Sequence, residues 1–282
     1  MIPLKDNLPT ARFPVVTVLL IAINVAFFIW QWQFPTDPAL DREGLSEIDQ
    51  SSLEYGAIPY RITHPGEGGD CSLGSVRSDS GGRQQSVVCP GTAELEEAER
   101  NGSAIQLDQA PWYVTLFTSM FMHGGILHIG FNMLFLWVFG NNIEDALGRL
   151  KFVLFYLAAG LVAVYAQAAI DVASTIPTIG ASGAVAGVLG AYALLHPRAG
   201  VLTLIFIIFF VTVVEIPAAI LLAIWFILQF IPAIADATTT AVDGGEGGVA
   251  YLAHVGGFVF GLATIKLLAR RRSDPEPRLP VY

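Results

Sequence analysis

Long apolar runs alternate with polar segments along this chain, and the pattern predicts helices that cross a membrane. A helix needs about 20 mainly apolar residues to span a bilayer. Six runs approach that length: Phe13–Trp32, Val114–Phe139, Phe152–Ile170, Gly180–Leu195, Ile216–Ile234 and Val249–Leu268. The predicted fold class is therefore an all-α polytopic membrane protein, a six-helix bundle with a long extracytoplasmic loop between its first two helices.

That loop is the polar segment 33–110, which is rich in Gly, Ser, Asp and Glu. It has too few apolar residues for a core of its own, so the pattern predicts a loop insertion. Within it, Ala93–Arg100 is predicted to form a short surface helix and Pro65–Gly82 a flexible loop. Cys71 and Cys89 can form a disulfide if the loop is extracytoplasmic, and we expect that they do.

The basic residues favour one orientation of these helices. Under the positive-inside rule the basic residues outside the long loop 33–110, whose arginines weigh little in this rule, face the cytoplasm if the chain crosses six times with both termini inside. They are Lys5, Arg12, Arg149, Lys151, Arg198 and Arg270–Arg272. Six crossings require Val201–Val214 to lie in the interface or to re-enter, because a seventh crossing would put Arg270–Arg272 outside. The expected location is a bacterial plasma membrane.

These patterns divide the chain into four parts. They are 1–32, the N-terminus with the first spanning helix; 33–110, the loop insertion; 111–268, a core of five helices; and 269–282, a basic tail. The first apolar run is too long for the core of a cleaved signal peptide, and no small-residue cleavage site follows it.

Composition agrees with a membrane protein and excludes some partners. Hydrophobic residues make up 54% of the chain and charged residues 14%. A net charge of −9 argues against a nucleic-acid partner, because phosphates bind basic surfaces. Two cysteines give no metal framework. The lipid bilayer is the first partner that the composition implies.

Two polar side chains lie at one depth in the predicted bundle. Ser182 begins the fourth apolar run and His254 lies near the start of the sixth, and both runs cross in the same direction. A serine becomes a nucleophile when a base takes its proton, and histidine has a suitable pKa. No carboxylate is placed to orient His254, so the pattern predicts a dyad.

Glycines are expected to bring these two helices close together. Gly257 and Gly261 share the helix face of His254, while Gly183, Gly187 and Gly190 form a stripe on the fourth run. Two glycine faces allow backbones to approach closely, which would place the imidazole within reach of the serine hydroxyl. Each residue alone has a plainer interpretation, as a packing serine or an interhelical hydrogen-bond donor.

The second run supplies candidate donors for an oxyanion. His128 and Asn132 are four residues apart and share a helix face. With the backbone N–H of Ser182 they are the available donors, although they could equally hold two helices together. His123 is expected to point elsewhere, nearer the outer surface, as a structural loop or lid residue.

Three motifs in this order resemble the rhomboid intramembrane serine proteases. They are Gly180-x-Ser182-Gly183, His123-x4-His128-x3-Asn132 and Ala253-His254-x2-Gly257-x3-Gly261. The resemblance implies a six-helix core and a dyad of Ser182 and His254, with His128, Asn132 and Gly180 in the oxyanion and substrate-binding region. It also implies cleavage, without a cofactor, of transmembrane segments in membrane-protein substrates.

Other features of that resemblance fit less evenly. Glu144 and Gly148 resemble a structural loop of the family, and Trp225 and Phe226 lie on the helix associated with substrate entry. Two features depart: Trp112-Tyr113 replaces a frequent Trp-Arg pair, and Ala186 stands where many members have an aromatic residue that stacks on the catalytic imidazole. What orients His254 is therefore open.

Three alternative functions compete with this one. A rhomboid-like scaffold that binds transmembrane helices without cutting is the main alternative, but it would be expected to lack Ser182 or His254. A zinc protease would need two histidines four apart with a glutamate, a spacing that His123 and His128 lack. A transporter would need an internal repeat or paired charges deeper in the bundle, which the sequence does not show.

Overall fold

A computed structural model describes residues 1–66, 69–77, 82–207, 210–239 and 250–269. The helices in these ranges are α1 Val15–Gln31, α2 Pro38–Arg42, α3 Glu47–Tyr55, α4 Pro59–Thr63, α5 Ala93–Arg100, α6 Trp112–Thr118, α7 Ile126–Leu147, α8 Arg149–Ile170, α9 Ser182–Leu195, α10 Ala218–Thr239 and α11 Tyr251–Leu268. The strands are β1 Ile2–Asp6, β2 Ser72–Arg77, β3 Arg83–Val88, β4 Ile105–Gln106, β5 Gly200–Ile207 and β6 Phe210–Pro217. The chain is thus mostly helical, but two small sheets correct the all-α prediction.

Three helices, α7, α8 and α11, are long and apolar enough to cross a membrane. α1, α9 and the Ala218–Ile231 part of α10 are apolar but shorter. The count of six crossings therefore stays a prediction. The basic cluster Arg270–Arg272 and nearly all of the tail lie outside the described residues.

The second predicted span, Val114–Phe139, is not one helix. α6 ends at Thr118, a 3-10 turn covers Ser119–Phe121, and α7 begins only at Ile126. Two consecutive glycines, Gly124 and Gly125, lie between them, and glycine is a poor helix former. The break places the histidine motif at the start of α7.

Helix α9 is the centre of the bundle. Every residue from Gly183 to Tyr192 is buried. It packs against α7, α8 and α11, and a helix that is buried on all sides needs apolar residues all round. The first residue of this enclosed helix is Ser182, so the backbone of Ser182 is held in place by the packing of α9.

The segment Val201–Val214, predicted to lie in the interface or to re-enter, belongs to a β-hairpin. Strands β5 and β6 pair antiparallel, and β1 adds to β5 to give the order β1-β5-β6. Val, Ile, Thr and Phe dominate this stretch, and β-branched and aromatic residues favour strands. The interfacial location of the hairpin stays a prediction.

Asp6, at the end of β1, ties this sheet to the helices. Its carboxyl oxygen accepts hydrogen bonds from Asn142 Nδ2 on α7 and from the Tyr192 hydroxyl on α9, each at 2.6 Å. Burial of the carboxyl raises its pKa from 3.8 to about 6, although the hydrogen bond from Tyr192 acts in the opposite direction. The N-terminal strand β1 is therefore anchored to helices α7 and α9.

The insertion 33–110 is folded, so the prediction of a loop without a core was wrong. Leu40, Leu53, Leu73 and Leu107 form one buried cluster, and there are two further clusters, one of which includes the disulfide Cys71–Cys89. The strand order is β3-β2-β4. Several small cores and a covalent link replace the single core that composition did not allow. The predicted helix Ala93–Arg100 is confirmed as α5, whereas β2 lies in the stretch predicted as a flexible loop, part of which is outside the described residues.

The insertion is fastened to the loop that leads into α9. Ala57 and Thr178 exchange two backbone hydrogen bonds, at 3.1 and 2.8 Å. The Arg61 guanidinium donates to the carbonyl of Ala110, just before α6, and forms an ion pair with Asp70 at 3.2 Å. Arg61 thus braces the start of α6, where the arginine of the usual Trp-Arg pair is missing.

Glu144 closes the other end of the bundle. Its carboxylate accepts from the backbone N–H groups of Val16 and Thr17 and from the Thr17 hydroxyl, at 2.8 to 3.1 Å. The first N–H groups of a helix have no partner within the helix, and an anion near the N-terminus is favourable. A residue on α7 therefore caps α1, which has no cap of its own.

Candidate active site

Ser182 and His254 meet at the start of α9 and α11. The serine Oγ lies 2.8 Å from His254 Nε2, a hydrogen-bond distance. A Cβ on Gly257 would overlap the carbonyl oxygen of Gly183, and one on Gly261 would overlap that of Gly187. The predicted close packing of two glycine faces is confirmed, and it brings the imidazole to the hydroxyl.

The other ring nitrogen of His254 has a partner that the sequence did not reveal. His254 Nδ1 lies 2.7 Å from Oε1 of Gln229 on α10. Trp225, one turn earlier on α10, places its ring 6.1 Å from the imidazole at an angle of 38°. Gln229 and Trp225 therefore contact the His254 imidazole, which Ala186 has no aromatic ring to stack on. Gln229 is a lone polar residue in an apolar run, and that was the available signal.

His128 lies against Gly180, beside the serine. Gly180 has φ = 121°, and a Cβ there would be 2.8 Å from His128 Nε2. His128 Nδ1 accepts from the backbone N–H of Gly124 at 3.3 Å. A neutral imidazole that accepts at Nδ1 carries its proton at Nε2, so His128 presents an N–H beside Gly180.

Asn132 lies one turn after His128 on the same face of α7. Its Nδ2 donates to the carbonyl oxygen of His128 at 3.0 Å, and its side chain is buried at the cavity wall. An amide nitrogen has two hydrogens, so one remains for a ligand. The hydrogen bond to His128 fixes where that second hydrogen points.

His123 precedes α7, and its expected place nearer the outer surface stays a prediction. It is fully buried, and its ring makes an edge contact with the ring of His128 at 5.1 Å. Its backbone N–H donates to Gln31 Oε1, while Gln31 Nε2 donates to the Ser51 hydroxyl of the insertion. His123 therefore acts as a structural residue that packs against the ring of His128.

One cavity of about 520 Å³ joins these groups. Its polar wall contains Ser182, His254, His128, Asn132 and Gly180, together with the hydroxyl-bearing Ser119. The rest is mainly apolar and includes Met120, Phe131, Val164, Val185, Leu189 and Trp225. This volume and balance suit a ligand with apolar side chains and one polar reacting group. Among the described residues, no three His, Cys, Asp or Glu side chains are grouped to hold a metal ion.

Curated relatives share segments of this chain. Rhomboid protein 1, mitochondrial, of Saccharomyces cerevisiae is 34% identical over 106 residues, 36% of this chain and 31% of that protein. Rhomboid protease GluP of Bacillus subtilis is 43% identical over 83 residues, 29% of this chain and 16% of that protein. RHOMBOID-like protein 6, mitochondrial, of Arabidopsis thaliana is 31% identical over 137 residues, 46% of this chain and 42% of that protein. The chain thus spans less than half of each of these relatives.

The mitochondrial relatives contradict the expected location in a bacterial plasma membrane. The names of the yeast and plant proteins, and of the presenilin-associated rhomboid-like protein of Bos taurus, all include the word mitochondrial. Residue charge alone carries no information on which membrane is spanned, and this explains the error.

The family itself is shown by the longest match. The family model of the Rhomboid domain matches residues 110–271, more than half of the chain, and the match includes every residue of the polar cavity wall. It begins where the insertion ends and runs through α11. The chain therefore belongs to the rhomboid family.

Proposed function

We propose that the chain is a serine endopeptidase that hydrolyses peptide bonds in or near transmembrane segments of membrane proteins. The observation that carries this proposal is the 2.8 Å contact between Ser182 Oγ and His254 Nε2 at the wall of the cavity. A serine at hydrogen-bond distance from a neutral imidazole is the arrangement that nucleophilic catalysis requires. Rhomboid protease GluP, one of the relatives, bears the word protease in its name.

In the first half of the reaction, Ser182 Oγ attacks the carbonyl carbon of the peptide bond, and His254 Nε2 takes the hydroxyl proton. The carbonyl oxygen becomes an oxyanion, which needs preorganised donors. His128 Nε2, the free Asn132 N–H and the backbone N–H of Ser182 supply them. His254 then gives its proton to the leaving amine, and the C–N bond breaks to leave an ester on Ser182.

In the second half, water replaces the amine. His254 takes a proton from the water, whose oxygen attacks the ester carbonyl, and the same donors hold the second oxyanion. The C–O bond to Ser182 breaks, and the serine recovers its proton from His254. The reaction needs no metal or other cofactor in this scheme, because every proton moves between Ser182, His254 and the reactants.

The walls of the cavity favour an apolar substrate. Phe131, Val164 and Leu189 line it away from the dyad, and they belong to three helices of the bundle. Such a wall would accept the small or apolar side chains of a membrane-spanning segment. Substrates with transmembrane segments, held within the bilayer, are therefore the proposed partners.

A serine-directed probe tests the activity directly. Purified protein in detergent is treated with a fluorophosphonate, and the wild type is compared with Ser182→Ala and His254→Ala. We expect the probe to label the wild type and neither of these variants. In Asn132→Ala we expect the labelling rate to fall roughly a hundredfold or less, because Asn132 is one oxyanion donor among several. Folding of each variant is checked by its thermal unfolding midpoint.

The alternative is a scaffold that binds transmembrane helices without cutting them. Its expected result is a folded wild-type protein that reacts with the probe no faster than Ser182→Ala, yet retains a transmembrane peptide in pull-down. Cleavage of the same peptide in liposomes, lost in Ser182→Ala, would exclude this alternative.

A further inference from the structure

The tautomer of His254 decides whether it can act as a base toward Ser182. Nε2 must offer a lone pair to the serine hydroxyl, so the ring proton of the neutral imidazole must be on Nδ1. Nδ1–H then needs an acceptor, and Gln229 Oε1 is 2.7 Å away. The amide carbonyl therefore holds the ring in the tautomer and the orientation that a general base needs.

The helix that carries Gln229 is held to α11 by aromatic packing. Trp225 and Gln229 are one turn apart and share a face of α10, so both side chains meet His254. Phe226 lies 4.7 Å from the ring of Phe258, which is one turn after His254 on α11. Displacement of α10 would therefore remove the acceptor from Nδ1 without moving Ser182.

We propose that Gln229 is a positioning residue, the third member of a Ser182–His254–Gln229 relay, and that it makes the activity of the serine depend on α10 being packed against α11. This proposal rests on the proposed serine endopeptidase function. The neutral amide takes the place that a carboxylate fills in a serine–histidine–aspartate triad. In a cavity lined mainly by apolar groups, an uncharged acceptor avoids the cost of burying a second charge.

Four variants in full-length protein test the first part of the proposal. Gln229→Met keeps a similar shape but offers no comparable acceptor, and we expect the rate of fluorophosphonate labelling to fall about ten- to a hundredfold. Gln229→Glu keeps an oxygen at the same distance and should retain labelling within a few fold. Leu228→Ala, at an exposed neighbouring position of α10, should label as the wild type does. Ser182→Ala gives the background.

Kinetics with a transmembrane peptide separate positioning from substrate contact. Loss of positioning lowers kcat and leaves KM unchanged, whereas loss of a substrate contact raises KM. We expect Gln229→Met to lower kcat alone and Gln229→Glu to restore it. A raised KM with unchanged kcat, or labelling of Gln229→Met at the wild-type rate, would overturn the proposal.

A double-mutant cycle tests the link to α10. Phe226→Ala loosens α10 from Phe258 without touching His254, and it should slow labelling in the wild-type background. In the Gln229→Met background, Phe226→Ala should have little further effect on labelling, because the hydrogen bond between residue 229 and His254 is already absent. Full additivity would overturn the link. A wild-type protein that does not label above the Ser182→Ala background would instead refute the proposed function itself.

Discussion

Gly261→Ala should silence the active site from a distance. Gly261 is seven residues after His254, about 10 Å along α11, and touches neither the serine nor the imidazole. A Cβ at this position would lie 2.8 Å from the carbonyl carbon of Gly187 and 2.9 Å from the backbone nitrogen of Ala191, both on α9. Backbone atoms cannot rotate away as a side chain does, so the helices must separate.

The required separation can be worked out from these distances. Non-bonded carbon atoms prefer about 3.5 to 4.0 Å, so α11 must move from α9 by about 1 Å. If that shift reaches the dyad, the 2.8 Å contact between Ser182 and His254 lengthens to nearly 4 Å, beyond a hydrogen bond. Misplacement by about 1 Å costs a rate factor of about a hundred, and overpacking typically costs about 1 to 3 kcal/mol of stability.

The labelling assay compares three glycine-to-alanine variants in apolar helices. At Gly130 on α7, a Cβ would have no neighbouring atom within 4 Å, so Gly130→Ala should label like the wild type and gain up to about 1 kcal/mol from helix propensity. Gly261→Ala should label about a hundredfold more slowly while its thermal unfolding remains cooperative. Gly190→Ala, which overlaps the carbonyl of Phe258 from the α9 side, should behave like Gly261→Ala. Equal labelling of Gly261→Ala and Gly130→Ala would refute the argument that backbone contact sets the dyad distance.

Three further measurements test the support of the site. Glu144→Ala should lower the free energy of unfolding by roughly 2 to 4 kcal/mol, because three buried donors of α1 lose a charged acceptor, and chemical denaturation measures this loss. Burial raises the pKa of Asp6 from 3.8 to about 6, so between these pH values the folded state binds a proton that the unfolded chain releases. The free energy of unfolding of the wild type should therefore fall by roughly 2 to 3 kcal/mol as pH rises from about 4 to above 6. Asp6→Asn should remove this pH dependence. Replacing Cys71 and Cys89 by serine should lower the free energy of unfolding of the insertion by about 3 kcal/mol, measured by hydrogen exchange, and unchanged protection there would contradict this expectation.

The sequence predicted the dyad contact because that contact depends on short-range patterns. Gly257 and Gly261 lie at fixed angles from His254 on one helix, and Gly183 and Gly187 are near Ser182 on another. Helical periodicity alone then determines which faces are small enough to pack together. Only the meeting of the two helices had to be inferred, and their common direction across the membrane supplied it.

Gln229 and the β-hairpin escaped prediction for different reasons. Gln229 is 25 residues before His254 on another helix, and no periodicity relates two helices joined by a long connection. The stretch Val201–Val214 is uniformly apolar, and such a run has the same appearance as a buried helix or a buried strand. Its β-branched residues were the signal for strands, but helical spans on either side favoured the membrane interpretation.

The insertion was underestimated because its stability does not come from one core. Leu40, Leu53, Leu73 and Leu107 are spread over more than 60 residues, and no local window contains enough of them to predict burial. The disulfide joins Cys71 and Cys89, which are 18 residues apart, within one of these small clusters. When several small clusters and a disulfide stabilise a fold, the hydropathy pattern of the sequence gives only a weak signal of it.

None of the described cavity-lining residues belongs to the insertion, yet the insertion is connected to Ser182, the proposed nucleophile. Its Ala57 pairs with Thr178, two residues before Gly180, and the Gly180 N–H in turn donates to the carbonyl of Ser119 at 2.8 Å. These bonds fix the loop that enters α9 at Ser182. The proposed nucleophile Ser182 is therefore positioned from the insertion, and the proposed base His254 is positioned from α10 through Gln229. Because the two supports belong to separate elements, a loosened insertion should disturb the oxyanion donors first and a displaced α10 should disturb the base first.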